Sequence, residues 1–212
     1  MSIPAPPSTC QDCPRLAAFR AECQAKYPSY HNAPVPSFGP IDAPLLIVGL
    51  APGMHGANQT GRPFTGDYAG DLLYATLTKF GLATGQYQQR PDDGLTLTRC
   101  RITNAVRCLP PQNKPETKEI ATCRPYLNGE LDGMPNLKVV MVLGLIAHKS
   151  VLAALGMKQS AIPFIHGQMA ELDSGLILAS SYHCSRYNTN TGRLTTEMFE
   201  DVFTSITERL DA

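Results

Sequence analysis

Four short apolar runs punctuate the chain: LLIVGL at 45–50, RITNAV at 101–106, VVMVL at 139–143 and LILAS at 176–180. They are rich in β-branched residues and almost free of polar alternation. This is the pattern of strands buried on both faces of a parallel sheet. Between and after them apolar positions recur at helical spacing: 71–80, 116–131, 146–155 and 197–210, with a further helix at 14–26. Strand–helix alternation predicts a single α/β domain over residues 1–212. Its architecture would be a three-layer sandwich with helices flanking a four-stranded, mostly parallel sheet. Ligands of such sheets sit beyond the carboxyl ends of the strands, so the segments that follow each strand are where chemistry is expected.

Composition narrows the class. With 43% hydrophobic residues the chain has ample core material, and its 18 Pro and 17 Gly point to long shaped loops on a regular scaffold. The formal net charge is zero, so any polyanion must be met by a local basic surface. No apolar run is long enough to span a membrane, and the MSIPAPPST start has neither the basic residues nor the apolar stretch of a secretory leader. A cytoplasmic, monomeric protein is the expectation. Seven cysteines then read as metal ligands and free thiols, not a disulfide framework.

The segment after the first strand is GLAPGMHGANQTGRPFTGD, residues 49–67. Glycines such as Gly53 let the backbone approach a ligand closely. No Gly-Lys-Ser/Thr follows, and the glycine spacing is not that of a dinucleotide fingerprint. Phe64 and Asp67 suit stacking plus general-base chemistry; equally, Phe64 can plug the core and Asp67 cap a helix.

After the second strand come Arg107, Cys108 and LPPQNKP, with Cys123 on the helix beyond, while the chain start supplies Cys10 and Cys13. A C-x2-C pair and a C-x14-C pair can hold zinc tetrahedrally or a [4Fe–4S] cluster, and spacing alone does not choose. Cys23, Cys100 and Cys184 are left over as free thiols. Residues 99–124 hold six basic residues against two acidic ones, which reads as a phosphate-facing stripe or as an ordinary solvated face.

After the fourth strand comes SYHCSRYNTNTG, residues 181–192. His183 there is placed for acid or charge-stabilising work, although a lone His is more often structural. The polar Ser/Arg/Tyr/Asn segment behind it, with Arg186, suits contact with a nucleic-acid backbone.

Taken together, GLAPGMHGANQTGRPFTGD, ITNAVRCLPPQNKP and SYHCSRYNTNTGRLT resemble the successive motifs of the uracil-DNA glycosylase superfamily, most closely its type B branch, family 5. The likeness runs from Cys10 to the C-terminal helix. It implies a [4Fe–4S] cluster on Cys10, Cys13, Cys108 and Cys123, and excision of uracil and other deaminated bases from DNA. By position, Phe64 would stack on the flipped base, Asp67 would be the acidic catalytic residue and His183 the partner of the leaving base. Asn113 would sit in the base pocket, and Asn104 stands where other branches keep their pyrimidine-reading Asn. Two departures stand out. Leu50 and Ala51 are apolar where many members carry an acid or amide, and Cys184 replaces a Pro. A zinc-stabilised nucleic-acid-binding module without catalysis and an iron–sulfur redox protein are the other classes the sequence admits.

Overall fold

The structure is a computed structural model and describes residues 3–212. Met1 and Ser2, the first residues of the MSIPAPPST start and of the expected domain, lie outside them. In chain order the elements are α1 (Pro14–Lys26), β1 (Leu45–Gly49), α2 (Ala57–Thr60), α3 (Tyr68–Lys79), β2 (Ala83–Thr84), β3 (Thr96–Leu97), β4 (Cys100–Asn104), α4 (Thr117–Gly133), β5 (Val139–Leu143), α5 (Leu145–Ala154), β6 (Met169–Glu171), β7 (Ile177–Ser181), α6 (Arg186–Asn190) and α7 (Thr196–Asp211).

The main sheet has five strands, not the expected four, in the order β4-β1-β5-β7-β6. The first four run parallel. The fifth, β6, is antiparallel to β7 at the edge. It was not legible because three half-exposed residues show no period. The second strand also ends earlier than its apolar run. Ala105 and Val106 leave β4 but still donate to the carbonyls of Gly49 and Leu50, both at 2.9 Å.

Every residue of β1 and β5 is buried, and their side chains alternate between the two faces. Leu45, Ile47, Val139 and Met141 pack with Leu73 and Leu77 of α3 and with Phe199, Phe203 and Ile206 of α7. Leu46, Val48, Val140 and Val142 pack with Leu127 of α4 and with Val151 and Leu152 of α5. A third, small cluster joins Leu16 of α1 to Val106 and Cys123, tying the chain start to the region after β4.

Helix starts follow local chemistry. Asp67 caps α3, accepting from Gly70 N. Glu116 and Glu119 form a capping box on α4, and Thr195 caps α7; each cap satisfies backbone donors that the helix leaves free. No helix among the described residues is long and apolar enough to cross a membrane.

Candidate active site

The loops after β1, β4 and β7 converge on one pocket of about 340 Å³, lined by Leu50, Ala51, Pro52, Gly53, Ala57, Phe64, Asp67, Asn104, Asn113, His183 and Ser185. This is the carboxyl end of the parallel strands, where an open α/β sheet offers a crevice. Six of the seven catalytic and substrate-binding candidates named from sequence meet here. Arg186 does not line the pocket. It lies exposed on the first turn of α6, its guanidinium 5.3 Å from the centre of the Tyr68 ring.

Phe64 is buried and adopts φ of +53°, a backbone state that a bulky residue enters only when its surroundings hold it there. A glycine at position 49 makes room for it. A Cβ on Gly49 would strike the Asn104 Oδ1 atom and would sit 2.7 Å from Phe64 Cζ, so ring and amide share the floor of the pocket above β1. Asn104 is itself buried, at the end of β4. Asn113 is exposed at the rim, in a turn where both it and Gln112 have positive φ.

Asp67 does two things with its two oxygens. Oδ1 accepts from Gly70 N at 3.2 Å and caps α3. Oδ2 lies toward the 53–56 loop: a Cβ on Gly56 would come to 2.6 Å from it and one on Gly53 to 3.5 Å. Burial raises the Asp67 carboxyl above the usual carboxylate range, against the opposing pull of the Gly70 and Ala69 backbone donors. It is the one carboxylate lining this pocket among the described residues. The apolar Leu50 and Ala51 also line it, so they bring no water-activating group.

Across the pocket, the His183 ring stacks on Phe64 with centroids 5.9 Å apart. Burial alone holds the imidazole down to about 4, so it is neutral at physiological pH. A neutral ring offers one N–H donor and one acceptor. Asn188 Nδ2 donates to the His183 carbonyl at 2.8 Å and fixes the turn behind it. Of two other polar residues of the first loop, Asn58 is buried against Asn32, and His55 is exposed with Tyr30 on its Nδ1.

Of the two readings of the basic residues over 99–124, a continuous phosphate-facing stripe is not what the fold presents, since three of the six are paired with carboxylates. Arg107, expected to face phosphates, is buried and pairs with Glu130 at 2.8 Å. Arg101 meets the same Glu130 at 2.6 Å, and Arg99 pairs with Asp211 at 2.6 Å. Arg107 follows β4 directly, and the chain turns it inward, where Glu130 of α4 offsets its charge. Lys114 and Lys118 remain exposed.

The four candidate ligands Cys10, Cys13, Cys108 and Cys123 line a second cavity, with Leu16, Arg20, Val106 and Tyr126 around them. Among the described residues no group of three or more His, Cys, Asp or Glu side chains closes on a single ion; the four thiols share one cavity lining. Burial, then the neighbouring thiol of Cys123, pushes Cys13 up to about 11 and Cys108 up to about 12. Four thiolates here would repel one another in a poorly solvated place, so their ionised form needs a compensating cation. Arg107 N already points at Cys123 Sγ (3.4 Å) and Arg20 at Cys108 Sγ (3.8 Å). The other three cysteines are elsewhere. Cys100 and Cys184 donate to the carbonyls of Leu82 and Ala69, and Cys23 approaches Met54.

Sequence reading missed Ser185 at the pocket wall and Tyr87 behind it. Tyr87 lies between β2 and β3, two-residue strands that leave no periodic signal.

Comparison with known proteins agrees with this geometry. The profile described as "Uracil DNA glycosylase superfamily" matches residues 36–207. The chain is 44% identical over 200 residues to a type-5 uracil-DNA glycosylase of Thermus thermophilus, covering 92% of this chain and 91% of that protein. It is 42% identical over 205 residues to one from Mycobacterium bovis, covering 92% and 76%, and 39% identical over 197 residues to one from Pyrobaculum aerophilum, covering 91% and 85%. With its parallel sheet, its pocket and these relatives, the chain belongs to the uracil DNA glycosylase superfamily, in its type-5 branch.

Proposed function

We infer that this protein is a base-excision repair glycosylase that hydrolyses the N-glycosidic bond of uracil in DNA and leaves an abasic site. The observation that carries the reading is the convergence of Phe64, Asp67, Asn104 and His183 on one pocket at the carboxyl ends of the strands. The substrate extends to other deaminated bases. The protein works as a single domain and as a monomer in the cytoplasm, on duplex DNA and on single strands.

The target bond is hidden in a duplex, so the nucleotide must swing out into a pocket, at a cost of a few kcal/mol that is least for a mispaired base. Phe64 offers a ring face for stacking, and the Asn104 amide can meet the edge of the base. Bond breaking builds positive charge on the sugar and negative charge on the base. Asp67 Oδ2 places a carboxylate where the first can be stabilised. Neutral His183 donates one hydrogen bond toward the second. The attacking water is needed late, when the sugar is already oxocarbenium-like, so Asp67 acts more through its charge than as a strong base. Among the described residues no lysine lines the pocket, which supports hydrolysis without a Schiff-base strand break.

Cys10, Cys13, Cys108 and Cys123 would hold a [4Fe–4S] cluster. Four soft sulfur donors lining one cavity, whose thiolates would repel one another without a cation, suit such a group. Bound there, it would supply the cationic charge the thiolates lack, and these four residues would pin the chain start to the loop after β4.

Duplexes carrying uracil, hypoxanthine or xanthine, incubated with the protein and then treated with alkali, test the reading. Alkali-dependent cleavage at uracil supports it. Binding to DNA without base release would favour a non-catalytic module.

A further inference from the structure

The loop from Arg62 to Asp67 holds both Phe64 and Asp67, and the structure gives it a brace. Between β2 and β3 the chain crosses the back of this loop. The Tyr87 hydroxyl donates to the Phe64 carbonyl at 3.1 Å and accepts from Gly66 N at 3.2 Å. It thus grips the backbone on both sides of Thr65, at Phe64 itself and one residue before Asp67. Phe64 and Gly66 both have positive φ, +53° and +88°. A stretch with two left-handed residues does not hold its shape by local preference and needs outside bonds.

The brace is anchored from below. The Arg62 guanidinium meets Asp93 in a two-pronged contact at 2.8 and 2.7 Å, with both side chains buried. Arg62 Nε also reaches Thr65 Oγ1 at 2.7 Å. Its guanidinium lies 5.4 Å from the Tyr74 ring centre and 5.8 Å from that of Tyr87, and those rings stand 4.6 Å apart. Tyr74 in turn donates to the Pro63 carbonyl at 2.6 Å. A Cβ added at Gly70 would collide with both the Phe64 carbonyl and the Tyr87 hydroxyl, so loop, hairpin and the first turn of α3 meet without slack.

We propose that Tyr87 is a positioning residue for base excision: its hydroxyl sets the strained Phe64–Asp67 loop so that ring and carboxylate face the reacting nucleotide together. The proposal rests on the glycosylase reading of the pocket. Tyr87 does not line the pocket, so its loss acts on geometry and leaves the DNA-facing surface intact. Misplacement of reacting groups by about 1 Å is enough to slow a reaction roughly a hundredfold.

The test is Tyr87→Phe, which removes the hydroxyl and keeps the ring against Arg62 and Tyr74. Single-turnover release of uracil from a G·U duplex at saturating protein is measured beside the dissociation constant of the same duplex. The expected result is a rate about ten- to a hundredfold lower with an unchanged dissociation constant and a Tm lowered by only about 2–4 °C. An unchanged rate overturns the proposal. So does a rate that falls only in step with DNA affinity and Tm, since that would be general loosening. If Tyr87→Phe does not fold at the assay temperature, the same comparison is made at lower temperature with a stabilising osmolyte. Wild-type protein that releases no base removes the glycosylase reading itself and the proposal with it. Wild-type activity together with a fully active Tyr87→Phe removes only the proposal.

Discussion

Phe64 and His183 stack across the pocket, with ring centroids 5.9 Å apart and planes tilted by 28°. The residue proposed to stack on the base therefore also supports the residue proposed to meet its oxygen. Phe64→Leu is expected to impair both roles. Base–aromatic stacking is worth about 1–3 kcal/mol, so uracil duplexes should bind more weakly. The single-turnover rate at saturation should also fall, because His183 loses its neighbour. Anisotropy titration and rapid-quench kinetics separate the two effects. A variant with weaker binding and a full rate at saturation would show that His183 holds its place without Phe64.

Asp67→Asn separates cap from charge. The carboxamide oxygen can still accept from Gly70 N, so the capping contribution of about 1 kcal/mol is largely kept. The fixed negative charge beside the sugar is lost. A drop in single-turnover rate on the order of a hundredfold is expected, with little change in Tm or DNA affinity. Wild-type kinetics from Asp67→Asn would reduce Asp67 to a helix cap, and Asn113 at the rim would become the next residue to test.

Both roles of Asp67, cap and pocket carboxylate, can be read from its place between Gly66 and the apolar run, but only the fold shows that they use different oxygens. The four parallel strands were legible because burial on both faces leaves continuous apolar runs. Edge strand β6 was not, because three half-exposed residues carry no such run. Arg107 failed for a related reason. Basic residues read as a stripe until the fold turns one inward, and its partner Glu130 lies 23 residues away on another element. Tyr87 had no signal at all, since its function lies in two backbone contacts more than twenty residues upstream.

The pH dependence follows from opposite shifts. Burial raises the Asp67 carboxyl above its ordinary 3.8. In the proposed mechanism the charged form drives catalysis, so activity should fall on the acid side through a pKa above the usual carboxylate range, and Asp67→Asn should abolish that limb. His183 titrates near 6.5 when unfolded and near 4 when folded. It should give no inflection in the rate near neutrality. Its stabilising effect is present above 6.5 and is lost as pH falls from 6.5 toward 4, because the unfolded chain takes the proton first. His183→Ala should flatten that part of the stability curve in chemical denaturation followed by circular dichroism. An unchanged slope would mean that the folded imidazole accepts a proton freely.

The cysteines divide four against three. Purified protein should be brown, and Ser in place of Cys10, Cys13, Cys108 or Cys123 should remove the visible absorbance and the iron. The same change at Cys23, Cys100 or Cys184 should leave both. Ligand loss should lower stability more than it changes chemistry in the protein that remains folded, because binding energy at such a site is folding energy. Colourless protein with one zinc per chain after anaerobic purification would replace the cluster with a mononuclear site.

DNA contact should come from few charges. The chain has no net charge, and Arg99, Arg101 and Arg107 are committed to carboxylates. Lys114, beside Asn113 at the pocket rim, and Arg186, beside Ser185 at its wall, are exposed and, among the described residues, have no such carboxylate partner. Each phosphate neutralised adds about 0.9 to the slope of log K against log salt. Replacing Lys114 and Arg186 together by Gln should therefore flatten the slope by about 2 and weaken binding to all sequences alike. Arg107→Met is the contrasting case. It strips one buried partner from Glu130, so stability should drop by about 3 kcal/mol, while the salt slope of the folded protein stays as in wild type. Urea unfolding and anisotropy titrations across salt concentrations give both quantities for each variant. An unchanged slope in Lys114→Gln/Arg186→Gln would move the phosphate track away from this side of the pocket. A flattened slope in Arg107→Met would mean that the buried pair opens to let the guanidinium reach DNA.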